Sequence, residues 1–255
     1  MSRTTLRATA VGLVAIGVSV AVAGCGSVSS SATASTSVLA PTVLAAASLS
    51  KVFPKIDAHA TYTFGGSGAL ATQIEQGAPA DVFAAASAKQ PAQLLAKGLI
   101  DAPVKFATNR LVLIVPTANP AHITTVDDIT KPGVKLVICA ASVPCGDYAR
   151  SVFANLGITA AATKNVVSNA SDVTQVVAQV ALGQADAGFV YITDADAANG
   201  RVMAITLPAA AKPATSDYVA VVKAGSHQAG ATAFVQSVMS PRGQAILRAA
   251  GFGAA

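Results

Sequence analysis

The chain of 255 residues has no tryptophan, a single glutamate (Glu75) and three histidines, and only 5% of it is aromatic. Each shortage excludes a class of function. Without Trp, and with few other rings, there is no platform on which sugars stack. His59, His122 and His227 are far apart, and no HExxH, CxxC or EF-hand pattern occurs. No protein-held metal and no cofactor are expected. Basic residues are scattered, without a run and without interleaved aromatics, so nucleic acid is not an expected partner. The formal charge of +5 includes Arg3 and Arg7; without them, fifteen basic and twelve acidic residues leave +3.

What is present begins at the N-terminus. Arg3 and Arg7 precede an apolar run from Ala8 to Ala23, and small residues lead to Cys25. A basic start, an apolar stretch and small residues before a cut site make a secretory signal. The run is short for a bilayer span, which needs about 20 residues, and Gly12 and Gly17 interrupt it. The segment Val22-Ala23-Gly24-Cys25 resembles a bacterial lipobox. That resemblance implies a signal peptide over 1–24 and a lipid on Cys25. The mature protein would then be extracytoplasmic, anchored to the cell membrane. Gly26 to Val38 carries no charge and buries too little to offset its ordering entropy. Residues 25–40 are read as a flexible tether, with the fold beginning near Pro41.

Short apolar strands then alternate with helices. Strands are predicted at Thr42–Ala46, Thr61–Phe64, Asp81–Ala85, Leu111–Val115, Leu136–Cys139, Val166–Val167, Ala187–Val190 and Tyr218–Val222. Helices are predicted at Ala69–Gln76, Pro91–Lys97, Asp147–Leu156, Asp172–Leu182, Ala231–Met239 and Pro241–Ala250. Gly77, Gly98 and Gly183 act as stops. This rhythm indicates an α/β fold with mostly parallel sheets. Two such blocks suggest two lobes: 41–112 with 221–255, and 113–220. Leu111–Val115 and Tyr218–Val222 are the expected crossover strands.

Four strand-to-helix junctions carry small or hydroxyl residues: Ala47-Ser48, Gly66-Ser67-Gly68, Pro144-Cys145-Gly146 and Ala170-Ser171-Asp172-Val173. Helix N-termini leave N–H groups unpaired and favour negative charge. In open α/β sheets ligands sit beyond the carboxyl ends of the strands, where all four junctions fall.

At these residues the sequence resembles the periplasmic molybdate-binding proteins of ABC transporters. The resemblance runs through Ala45-Ala46-Ala47-Ser48-Leu49, Phe64 to Leu70, Gln73 to Phe83, Val143 to Ala149, Asp172-Val173 and Gly188 to Ala195. It implies a two-lobed, type II-like periplasmic-binding-protein fold that closes on an oxyanion, molybdate or tungstate. Ser48 and Ser67 would each offer a hydroxyl and an N–H. Cys145 and Val173 would offer their N–H groups, and Tyr191 its phenol. The implied partner is a membrane permease, and the protein is expected to be a monomer without enzymatic activity. Cys139 and Cys145 are predicted to form a disulfide. The compartment is oxidising, and Cys25 is taken by lipid.

Two other readings stay open. The fold could serve another oxyanion, sulfate or phosphate, with Asp147 and Asp172 as the carboxylates able to accept a proton from phosphate. Alternatively, Gly65-Gly66-Ser67-Gly68-Ala69 falls one residue short of a nucleophile elbow, with Asp194 and His227 following in hydrolase order. That makes an extracytoplasmic serine hydrolase the runner-up.

Overall fold

The computed structural model describes residues 39–255. The expected signal peptide, Cys25 and residues 25–38 of the expected tether lie outside the described residues. The chain is already docked at Leu39, whose carbonyl lies so close to Gly230 that a Cβ there would come within 2.3 Å of it.

The strands are β1 (Thr42–Ala46), β2 (Thr61–Gly65), β3 (Val82–Ala85), β4 (Val104–Asn109), β5 (Leu111–Pro116), β6 (Leu136–Cys139), β7 (Val166–Ala170), β8 (Ala187–Tyr191), β9 (Val202–Thr206) and β10 (Thr215–Val221). The helices are α1 (Phe53–Ile56), α2 (Ser67–Glu75), α3 (Lys89–Ala96), α4 (Pro144–Asn155), α5 (Thr159–Lys164), α6 (Val173–Ala181), α7 (Ile192–Ala197), α8 (Gln228–Met239) and α9 (Pro241–Ala249).

Two five-stranded sheets result, ordered β2-β1-β3-β10-β4 and β7-β6-β8-β5-β9. In the first, β1 pairs in parallel with β2 and β3, while β10 runs antiparallel between β3 and β4. The second repeats the plan, with β5 antiparallel between β8 and β9. Each lobe is therefore a mostly parallel sheet flanked by helices. Central strands covered on both faces need apolar side chains throughout. Accordingly β3, β5, β6 and β8 are buried at every position.

One face of the first sheet packs under α2 and α3 through Leu44, Leu70, Phe83 and Leu94. On its other face Phe53 meets Phe106 and Phe234, with ring centroids 5.7 and 5.3 Å apart. In the second lobe Phe153 of α4 meets Phe189 of β8 edge-on. Each such side chain, fully buried, contributes about 1.5–3 kcal/mol. Gly77 and Gly183 end α2 and α6 with φ of +82° and +68°, the left-handed cap that only glycine adopts freely.

The lobe boundaries differ from those expected. Neither Leu111–Val115 nor Tyr218–Val222 spans two sheets. β5 pairs only within the second sheet, and β10 only within the first. The chain crosses at Asn109–Arg110 and again between Thr206 and Thr215. β10 therefore belongs to the first lobe from its first residue, six positions before the predicted boundary. The reason is its ladder with β4, which begins at Thr215↔Asn109.

Candidate functional site

Ser48, Ser67, Cys145, Val173 and Tyr191 line one small cavity between the lobes. Ser48 stands on a single 3-10 turn (Ala47–Leu49) that follows β1, and Ser67 is the first residue of α2. Both belong to the first lobe. Cys145 is the second residue of α4, behind Pro144, and Val173 is the first of α6. Tyr191 ends β8. These three belong to the second lobe. Backbone N–H groups in the first turn of a helix have no partner within it, so α2, α4 and α6 all present donors to the same space.

Two hydroxyls in this wall are orphans. Ser48 Oγ and Tyr191 Oη are buried and have no hydrogen-bond partner among the described residues. Leaving such a group unpaired costs about 1–3 kcal/mol, and folded proteins rarely do so without a functional reason. Ser67 Oγ differs, because it accepts from the Ala86 N–H at 3.3 Å. Burial, then the nearby Tyr148, Asp217 and Asp194, push the Tyr191 phenol well above its ordinary value. The phenol therefore keeps its proton and can donate it.

Among the described residues no cationic side chain lines this cavity, and Asp172 is the one acidic residue in its wall. The cavity holds about 10 Å³, room for little more than one water. A second cavity of about 400 Å³ shares Ser48 with it and has Lys51, Lys55, Arg201 and Arg248 in its wall. That space is too roomy to fix a tetrahedral ion by shape.

The lobes are closed over the small cavity. A Cβ on Gly66 would lie 2.4 Å from the Ser171 carbonyl, and one on Gly68 2.1 Å from that of Ser142. Lys89 reaches Asp147 across the cleft at 3.2 Å, and Gln90 donates to the Ser142 carbonyl at 3.4 Å. Both are solvated or long, and contribute little.

The structure joins Cys139 and Cys145 by a disulfide. It ties the end of β6 to the first turn of α4, beside the Cys145 N–H. Arg150 braces the same turn, donating to the carbonyls of Cys139 and Gly146.

The residues of the hydrolase reading are not assembled. His227 donates through Nδ1 to Asp81 at 3.0 Å, and its backbone N–H also donates to Asp81. Asp81 stands before the first residue of β3, whereas Ser67 follows the last residue of β2. In parallel strands these are opposite ends. Asp194 accepts from the Tyr191 N–H instead.

Of the two carboxylates that could receive phosphate's proton, Asp172 belongs to the wall of the small cavity and Asp147 does not. Asp147 pairs with Lys89, and Asp172 caps α6 by accepting from the Gln175 N–H. The carboxyl that the sequence reading missed is Asp217. It is 1% exposed, with both oxygens unpartnered. A lone acid inside the apolar strand Thr215–Val221 was the available signal.

Residues 34–253 match the family of bacterial extracellular solute-binding proteins. The molybdate-binding protein ModA of Mycobacterium tuberculosis H37Rv is 39% identical over 220 residues, covering 82% of this chain and 83% of that protein. The protein of the same name from Escherichia coli K12 is 31% identical over 227 residues, covering 83% and 88%. Among solved structures, the periplasmic molybdate-binding protein of Azotobacter vinelandii superposes with a TM-score of 0.71. It is 25% identical, covering 83% of this chain and 98% of that one.

Proposed function

Because the chain belongs to the bacterial extracellular solute-binding protein family, we propose that it captures molybdate outside the cytoplasm and delivers it to the permease of an ABC transporter. One observation carries this reading. Neutral donors from both lobes converge on a single small cavity at which the two lobes meet.

A tetrahedral dianion suits this wall. Ser48 and Ser67 on one lobe, with Cys145, Val173 and Tyr191 on the other, offer backbone N–H groups and hydroxyls. Hydrogen bonds to an ionised acceptor are roughly twice as strong as neutral ones. With no buried cation, there is no ion pair whose desolvation must be offset. The anion bonds to both lobes, so its binding energy holds the cleft shut. The closed shape then reports occupancy to the permease. Tungstate, of nearly equal size, is accommodated by the same donors. The protein performs no chemistry on its ligand. It acts as a monomer, tethered through a lipid on Cys25 once residues 1–24 are removed.

Calorimetric titration with molybdate, tungstate, sulfate and phosphate tests this reading. Molybdate and tungstate are expected to bind with similar sub-micromolar affinity. Sulfate has shorter bonds and cannot reach all the donors. Phosphate keeps a proton that only Asp172, already holding the α6 N-cap, is placed to accept, and against the rest of the wall the facing donor goes unpaired. That costs about 1–3 kcal/mol, or roughly tenfold or more in affinity. Phosphate binding as tightly as molybdate would overturn the assignment.

A further inference from the structure

Asp217 sits in the wall behind the anion site. It lies on β10, where the register against β3 pairs Tyr218 with Ala85 and so sets Asp217 beside Ala86. Ala86 lines the small cavity, and its N–H bonds Ser67. A register shift between Asp217 and Tyr218 breaks the ladder with β4 at this residue. The carboxyl is buried, and among the described residues neither oxygen has a hydrogen-bond partner and it forms no ion pair.

The groups around it offer no compensation. From the end of β8 and the start of α7 it faces Tyr191 and Asp194, the latter itself pushed up to about 7, chiefly by burial, and from α4 Tyr148. Lys105 of β4 stands opposite Tyr218, not Asp217. Asp147, the other acid near Tyr148, is neutralised by Lys89. A carboxylate in this position would be an unpaired buried charge, which folded proteins avoid by keeping the proton.

We infer that Asp217 is a proton-carrying positioning residue of the anion site, neutral whenever the cleft is closed on a dianion, and that it sets the upper pH limit of capture. The inference rests on reading the small cavity as the molybdate site. Burial, then the charge of Asp194, push the Asp217 carboxyl up to about 8. A dianion bound nearby raises it further. Above that pH, closing on molybdate draws one proton from solution onto Asp217, and the affinity falls because the proton must be found. Below it the proton is already in place. Tyr148, pushed up to about 12 by burial and then by Asp217, stays neutral throughout.

The test is calorimetric titration of sodium molybdate into the wild type, Asp217→Asn and Asp194→Asn between pH 6.5 and 9.5. Molybdate is fully deprotonated across this range. For the wild type the Kd is expected to weaken above about pH 8, approaching tenfold per pH unit. Asp217→Asn should lose that slope, and Asp194→Asn, which removes the charge that helps to raise Asp217, should keep a slope that begins at lower pH. In the wild type at pH 9, titrations in two buffers of different ionisation enthalpy should report uptake approaching one proton per molybdate. This measurement needs no variant and stands if Asp217→Asn fails to fold. Molybdate binding with a flat pH profile and no proton uptake would overturn the inference alone. So would a slope abolished by Asp194→Asn but kept in Asp217→Asn. Absence of molybdate binding at every pH would overturn the functional reading beneath it.

Discussion

Ser48 and Tyr191 carry hydroxyls that nothing among the described residues satisfies, whereas Ser67 has a partner in the Ala86 N–H. The difference separates a binding role from a structural one. Ser48→Ala and Tyr191→Phe should each weaken molybdate binding by about 1.5–3 kcal/mol. Neither should destabilise the ligand-free protein, because each removes an unpaired buried group. Ser67→Ala should weaken binding too, and should also cost the ligand-free protein about 0.5–1.5 kcal/mol for the lost Ala86 bond. Calorimetry and chemical denaturation on the same variants check both halves. Three variants with unchanged affinity would remove these residues from the site. Asp217 adds a pH signature. Its folded value of about 8 lies far above that of an unfolded carboxyl. Its contribution is fully present below about pH 4 and is lost as pH rises through 8. Under saturating molybdate, which holds the lobes shut, Asp217→Asn should therefore be more stable than the wild type at pH 8, by a margin on the order of a few kcal/mol that narrows towards about pH 6. An equal margin at both pH values would show that the carboxyl is charged throughout.

Among the elements, the starts of helices matter more than their lengths. α2 begins at Ser67 and α4 at Pro144, whereas the sequence placed their first residues at Ala69 and Asp147. The missed turns are the ones that aim N–H groups at the cavity. Pro144 at the first helical position, where its missing N–H costs nothing, was the overlooked signal. The strands that sequence reading caught are mostly the central ones, whose apolar runs are continuous. It missed β4 and β9, both at sheet edges, where one face meets water and the apolar pattern is diluted, as in Lys105 of β4. It also missed α5, and α7, which follows β8 without an intervening turn residue. The convergence on one cavity was legible through the junctions. Asp217 was not, because its role depends on a register between strands distant in sequence. Gly68, on the first turn of α2, gives an element-scale prediction. An added methyl would collide with the Ser142 carbonyl only when the lobes are shut. Gly68→Ala should leave ligand-free stability equal or higher, since alanine favours helix, yet lower molybdate affinity at least about tenfold through incomplete closure. Unimpaired affinity would mean that the lobes need not approach this closely. Replacing Cys139 and Cys145 together by alanine should cost about 2 kcal/mol of stability, given the short loop that their bridge closes.

For the whole molecule, ligand and fold are linked by mass action. Free molybdate at a thousandfold above Kd should stabilise the protein by about 4 kcal/mol, raising Tm by roughly 10 °C for a chain of this size. No shift at millimolar molybdate would argue against capture.

The first lobe is built from both ends of the chain. β10, the last strand in sequence, is the one that joins β3 to β4, and Thr215 bonds the Asn109 carbonyl from 106 residues away. The second lobe, by contrast, lies within one continuous stretch. Closing a long loop delays the contacts that depend on it. A chain emerging N-terminus first from a translocation pore therefore completes its second lobe while the first still exposes the unpaired edge of β3, an invitation to wrong partners. Refolding followed by pulsed hydrogen exchange should show amides of β5, β6 and β8 protected before those linking β3, β10 and β4. Simultaneous protection of both sets would mean that the two lobes fold as one cooperative unit.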